Sequence, residues 1–140
     1  MRVVADTNTI VSGLLWRGTP HLLLDHAREG TIKLLTSPAL LMELEDVLRR
    51  PKFAQRLEMA GVEAHDLALD YAALAEIVEP DVVETVIEDD PDDDEVLACA
   101  LTAGADVIAS GDRHLMALGE YRGILVLSAS ELIQKVSSDG

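Results

Sequence analysis

The sequence predicts an α/β fold in which helices cover both faces of a central parallel sheet. Three observations carry that expectation. Short apolar stretches at Arg2–Ala5, Ile32–Thr36, Val107–Ser110 and Ile124–Leu127 read as strands buried on both faces. The segments between them place apolar residues at helical spacing, so strand and helix alternate. Helix boundaries are also marked. Thr19-Pro20 and Ser37-Pro38 each pair a capping residue with a first-turn proline, and Gly30, Gly61 and Gly104 stand where helices stop.

Taken in order, the strand Arg2–Ala5 ends at Asp6-Thr7-Asn8 and feeds a helix carrying Ile10, Val11, Leu14 and Leu15. A second helix runs from Thr19-Pro20 to Gly30. The strand Ile32–Thr36 leads into a helix from Ser37-Pro38 through Leu48, which Pro51 breaks. Phe53–Ala60 forms a further helix, and Ala64–Val78 a longer amphipathic one with Leu67, Tyr71, Leu74, Ala75 and Val78 on one face. Pro80–Asp90 alternates weakly, as a loop or an edge strand. Asp92–Ala103 is helical, the strand Val107–Ser110 follows, and a short helix holds Leu115, Met116 and Leu118. After the strand Ile124–Leu127, Ser128 and Glu131 are spaced as a capping box for a final helix. There is no repeat or low-complexity tract, and residues 1–140 read as one domain long enough to bury a sizeable core.

Composition narrows the function. With 26 Asp+Glu against 11 Lys+Arg, the net charge of −15 argues against a protein that coats DNA with a basic face. Trp16, Phe53, Tyr71 and Tyr121 are too few for a base-stacking sheet. The lone Cys99 excludes an intramolecular disulfide framework and a cysteine-based zinc site, and fits a reducing cytoplasm. Asp6 interrupts the chain before a signal peptide develops, and no apolar run approaches the roughly 18 residues of a membrane span. The charge is also uneven: Leu57–Asp112 holds 17 acids and no Lys or Arg, whereas the flanks carry 9 acids and 11 bases.

Parallel sheets bind ligands beyond the carboxyl ends of their strands, where Asp6 and Asp112 fall. On the helix from Asp92, the residues Val96, Leu97, Ala100 and Leu101 define an apolar face with Asp93 near its centre and Asp94 at its edge. A carboxylate on a buried face needs a partner or a metal. Asp89, Asp92 and Glu95 read instead as a solvated acidic helix start, with Asp92 as the cap. On the helix after Ser37-Pro38, Glu43 and Glu45 flank the apolar face at nearly equal angles, and periodicity does not choose between them; a surface salt bridge suits either. Where such acids converge, each like-charge pair at about 4 Å costs on the order of 4 kcal/mol at an effective dielectric near 20. The cluster then protonates or binds a cation. Oxygen-only ligands suit Mg²⁺ or Mn²⁺ rather than zinc, and the chemistry that follows is hydrolytic phosphoryl transfer.

Five ordered segments carry a resemblance through nearly the whole chain: Val3-Val4-Ala5-Asp6-Thr7-Asn8, Leu14-Leu15-Trp16-Arg17-Gly18, Ser37-Pro38 leading to Glu43, Asp90-Pro91-Asp92-Asp93 before an Ala-rich helix, and Ala105–Asp112 ending in Ser-Gly-Asp. In these the sequence resembles the PIN-domain family, of the kind found as the toxin in VapBC-type toxin–antitoxin pairs. The resemblance implies a three-layer α/β/α sandwich with a central parallel sheet and a Mg²⁺- or Mn²⁺-dependent site that hydrolyses RNA. It matches the metal-holding, catalytic acids to Asp6, Glu43, Asp93 and Asp112, and so favours Glu43 over Glu45. Asn8 and Ser110 match supporting polar positions, with Asp90 and Asp94 secondary. A cognate antitoxin and a homodimer are implied in the same way.

RNA must also be attracted to an acidic protein. Arg49, Arg50, Lys52 and Arg56, with Arg113 beside Asp112, are candidate phosphate contacts, although the first four equally suit a solvated helix end. His114 reads as a general acid or a plain loop residue. Trp16 reads as core or dimer interface, Tyr71 as core and Cys99 as a small packed side chain. The acids from Glu58 to Glu88 exceed what a metal site needs, and serve solubility or a basic partner. Two rival readings remain at this level. One is a haloacid-dehalogenase-like phosphatase with Asp6 as nucleophile, against which stand Asn8 at its second acid position and the lack of any Lys between Lys52 and Lys135. The other is a non-catalytic acidic interaction module.

Overall fold

The computed structural model describes residues 1–80 and 91–139, and the proposed loop or edge strand up to Asp90 lies, from residue 81 on, outside them. Strand β1 (Arg2–Ala5) leads to α1 (Thr7–Leu15) and α2 (Thr19–Glu29), then β2 (Lys33–Thr36), α3 (Pro38–Leu48), a 3₁₀ turn (Pro51–Phe53), α4 (Ala54–Ala60), α5 (Ala64–Leu74) and β3 (Glu76–Ile77). The chain continues with α6 (Pro91–Ala103), β4 (Val107–Ala109), α7 (Arg113–Leu118), β5 (Glu120–Tyr121), β6 (Ile124–Leu127) and α8 (Ala129–Asp139). The strands form one sheet in the order β3-β2-β1-β4-β6-β5. Every pairing is parallel except that of β5 with β6.

Alternation along the strands splits the core in two. Val3, Ala5, Leu34, Val107 and Ala109 face a cluster with Ile10, Val11 and Leu15 of α1, Leu44 and Val47 of α3, Tyr71 of α5 and Leu132 of α8. Val4, Leu35 and Ile108 face the opposite side, against Val96, Leu97 and Ala100 of α6 and Leu115 of α7. Helices thus cover both faces of the sheet, as the continuous apolar runs require.

Local chemistry sets the element ends. Ser37 caps α3 through its hydroxyl, which accepts from the Leu40 amide, with Pro38 following. Ser128 and Glu131 make the reciprocal bonds of the capping box at α8. Three expectations need correction. Thr19 is the first residue of α2 and not its cap; Gly18 holds that position at φ 151°, which side-chain-bearing residues rarely adopt. The helix expected through Val78 stops at Leu74, because Glu76 and Ile77 are drawn into the sheet edge beside Leu35 and Thr36. Helix α6 begins at Pro91, so Asp92 lies inside it and does not cap it.

Gly13 of α1 lies against the start of α2, where a Cβ would sit 2.8 Å from the Pro20 carbonyl oxygen. The obstacle is backbone and cannot swing aside. Gly13→Ala is therefore expected to destabilise the protein by about 1–3 kcal/mol despite alanine's higher helix propensity. Chemical denaturation checks this, and a stabilised variant would contradict it.

Candidate metal centre

The strand order reverses at β1, whose two neighbours are β2 and β4. Chains leaving β1 and β4 diverge there and open a crevice at the carboxyl edge of the sheet. Asp6 immediately follows β1, and Ser110 follows β4. The backbone joins the two exits, since the Asp6 amide donates to the Ala109 carbonyl at 3.0 Å.

Asp6 is 5% exposed and caps α1, its Oδ1 accepting from the Thr9 amide at 2.9 Å. Its Oδ2 accepts from the fully buried Ser110 hydroxyl. That same Ser110 oxygen accepts from the Asp112 amide at 2.9 Å. One hydroxyl thus links Asp6 to the Asp112 backbone, with Asp6 and Ser110 standing 104 positions apart in sequence. Asp112 in turn caps α7, its Oδ1 accepting from the His114 and Leu115 amides at 2.8 and 3.2 Å. Burial pushes the Asp112 carboxyl up, but the Leu115 amide, a hydrogen bond with Asp93, the His114 amide and the charge of His114 together hold it below the usual carboxylate range.

Asp93 arrives from the opposite layer. Helix α6 runs back along the sheet, its far end at Ala103 accepting from the Arg2 guanidinium, so its first turn reaches the carboxyl edge. Asp93 and Asp94 are each 6% exposed there. The expected burial of Asp93 is met; Asp94, placed at the edge of the face by periodicity, is equally enclosed.

Glu43 and Glu45 part company in space. Glu43 is half-buried, and its Oε2 accepts at 2.8 Å from the hydroxyl of Thr7, the residue after Asp6. Glu45 turns outward to His65 and to Arg49 at 2.9 Å. The His65 hydrogen bond, helped by the charge of Arg49 and opposed by burial, keeps the Glu45 carboxyl below its ordinary range. Thr7 is the residue that sequence reasoning missed. Its signal was its place in Asp6-Thr7-Asn8, one residue after a candidate ligand.

A cleft of about 600 Å³ opens over this edge, lined by Asp6, Asn8, Ser12, Gly111, Asp112 and Arg113 among others. Asn8 and Arg113 are exposed in it. One ligand atom from each of Asp93, Asp112 and His114 lies within 4.8 Å of the others, a separation suited to a shared cation, and Asp6 and Glu43 stand outside that group. Asp90 is outside the described residues.

The other basic candidates are not brought to the cleft. Arg56 donates from Nε to the Leu15 carbonyl at 2.8 Å, at the C-terminal end of α1, about 14 Å of helical rise from Asp6 at its start. Arg49 is paired with Glu45, and Lys52 lies over the Phe53 ring. Arg50 sits between α3 and the 3₁₀ turn, in the same far-end segment. Trp16 is 45% exposed, edge-on to Phe53 with Arg56 over its ring, so its core reading is corrected: it lies on the surface at that far end. Tyr71 and Cys99 are core, as expected; burial pushes the Cys99 thiol up to about 12 and raises Tyr71 as well.

Fold and site define the class: a parallel-sheet α/β/α protein with carboxylates gathered at the switch point of the sheet. The family model of the PIN domain matches residues 2–114, and the chain belongs to that family. Among solved structures it is similar to VapBC2 from Rickettsia felis bound to a DNA fragment from their promoter. The two share 14% identity over 91% of this chain and 98% of that one, with a TM-score of 0.62, which shows a common fold. No curated protein matches. No helix among the described residues is long and apolar enough to cross a membrane.

Proposed function

We propose that the protein is a divalent-metal-dependent endoribonuclease and the toxin of a toxin–antitoxin pair. The observation that carries the reading is the run of acids at this edge: Asp6 bonded to Ser110, Ser110 to the Asp112 backbone, Asp112 within 4.8 Å of Asp93, and Glu43 bonded to Thr7, the residue after Asp6. Carboxylates gathered this closely repel one another, and a bound cation would relieve that repulsion.

In this reading Asp6, Glu43, Asp93 and Asp112 hold Mg²⁺ or Mn²⁺, with Asp94 as a secondary acid and Asp90 as a further candidate. When bound, the ion supplies Lewis acidity toward the scissile phosphate and lowers the pKa of the attacking water. Ser110 fixes the separation of Asp6 and Asp112, and Thr7 the direction of Glu43. Arg113, exposed at the cleft, meets a phosphate of the substrate, and Asn8 contributes a polar contact. The fold shared with a VapBC complex supports a protein antitoxin as partner. A cytoplasmic homodimer of one domain per chain completes the proposal.

Asp6 accepts hydrogen bonds on both oxygens, which suits a fixed ligand better than the free nucleophile of a phosphatase. The test is incubation of the purified protein with structured and unstructured RNAs. Cleavage with Mn²⁺ or Mg²⁺, lost in EDTA and restored by added metal, is the expected result. Cleavage indifferent to EDTA would overturn the metal assignment. Calorimetry detecting no Mn²⁺ binding would favour the non-catalytic module.

A further inference from the structure

The geometry points to His114 as a direct nitrogen ligand of the ion in this site, making the site selective for Mn²⁺ over Mg²⁺; this rests on the metal-dependent reading above. His114 is the second residue of α7, and its amide donates to Asp112 at 2.8 Å, which fixes the start of the helix and the root of the side chain. The ring is about a third exposed, yet its Nδ1 is buried and makes no hydrogen bond. That atom stands 3.8 Å from Asp112 Oδ1 and 4.0 Å from Asp93 Oδ2.

These separations are too long for hydrogen bonds, whose N···O distances end near 3.2 Å. They fit an ion held between the groups. Donors at about 2.1 Å from a common ion lie about 3 Å apart at a right angle and about 4.2 Å apart when opposed. A nitrogen with no hydrogen-bond partner, turned toward two carboxylates, thus has the spacing of a third ligand. The consequence is selectivity. Mg²⁺ favours oxygen donors and retains its waters, whereas Mn²⁺, though itself suited to carboxylates, is a first-row transition ion and loses less than Mg²⁺ when a nitrogen replaces a water.

The experiment is pulsed electron paramagnetic resonance on the full protein loaded with Mn²⁺, alongside calorimetry with Mn²⁺ and with Mg²⁺. We expect ¹⁴N modulation of the Mn²⁺ signal in the parent and its loss in His114→Ala and in His114→Asn. Mn²⁺ affinity should fall about tenfold or more in both variants, with Mg²⁺ affinity changing less than about twofold. Thermal melting of the metal-free variants separates misfolding from ligand loss. Mn²⁺ bound without nitrogen coupling, or equal weakening for the two ions, overturns the ligation of His114 and leaves the nuclease reading standing. No Mn²⁺ binding by the parent overturns both.

Discussion

Asp6→Asn and Asp93→Asn are each expected to lower RNA cleavage at least about a hundredfold, a loss of roughly 2.7 kcal/mol of transition-state stabilisation. Metal-free stability should hold or rise. Both residues are 5–6% exposed among other acids, so removing one charge relieves repulsion that the empty cluster carries. The amide keeps the carboxylate's shape, and at position 6 its oxygen still accepts from the Thr9 amide. The separating observation is melting with and without Mn²⁺. Binding to the native state raises the parent's melting temperature by mass action, and that rise should largely vanish in either variant. Full activity, or an undiminished Mn²⁺-dependent rise, would remove the residue concerned from the site.

Ser110→Ala should act in the opposite sense on stability. The hydroxyl is fully buried, donates to Asp6 and accepts from the Asp112 amide, and alanine leaves both partners unsatisfied. We expect a cost of about 1–3 kcal/mol by chemical denaturation. Cleavage should fall about ten- to a hundredfold, as when a group that orients metal ligands is removed. The loss belongs in kcat and metal affinity and not in RNA binding. An active variant of parental stability would show that Asp6 and Asp112 are held apart from Ser110.

Much of this arrangement is legible in the sequence because burial leaves a pattern. The four strands that pair in parallel through β1, β2, β4 and β6 are continuous apolar runs, and Asp93 is visible as a charge on an apolar helix face. What is not legible is decided by neighbours far along the chain. Strands β3 and β5 have two residues each; Glu76 and Ile77 are both exposed and acquire strand geometry only by pairing with Leu35 and Thr36. The same pairing cuts α5 short, although Ala75 and Val78 continue a helical pattern. Glu43 and Glu45 are equivalent by angle and become distinct only where Thr7 approaches one side of α3 and His65 the other. The basic run at Arg49–Arg56 sits close to Glu43 in sequence, yet helix direction carries it away from the crevice, and no local signal reports that.

The contact between Asp6 and Ser110 also fixes an order of events during synthesis. β1 is made before β4, and both Ser110 and the β4 segment that flanks it emerge more than a hundred residues later. Such long-range parallel pairing forms late, because closing so large a loop precedes any gain from the contact. A nascent chain therefore carries Asp6 and Glu43 before Asp93 and Asp112 have been made. The acids at the sheet edge come together only after the segment that holds Asp112 has been made, so this edge is among the last parts of the fold to be completed.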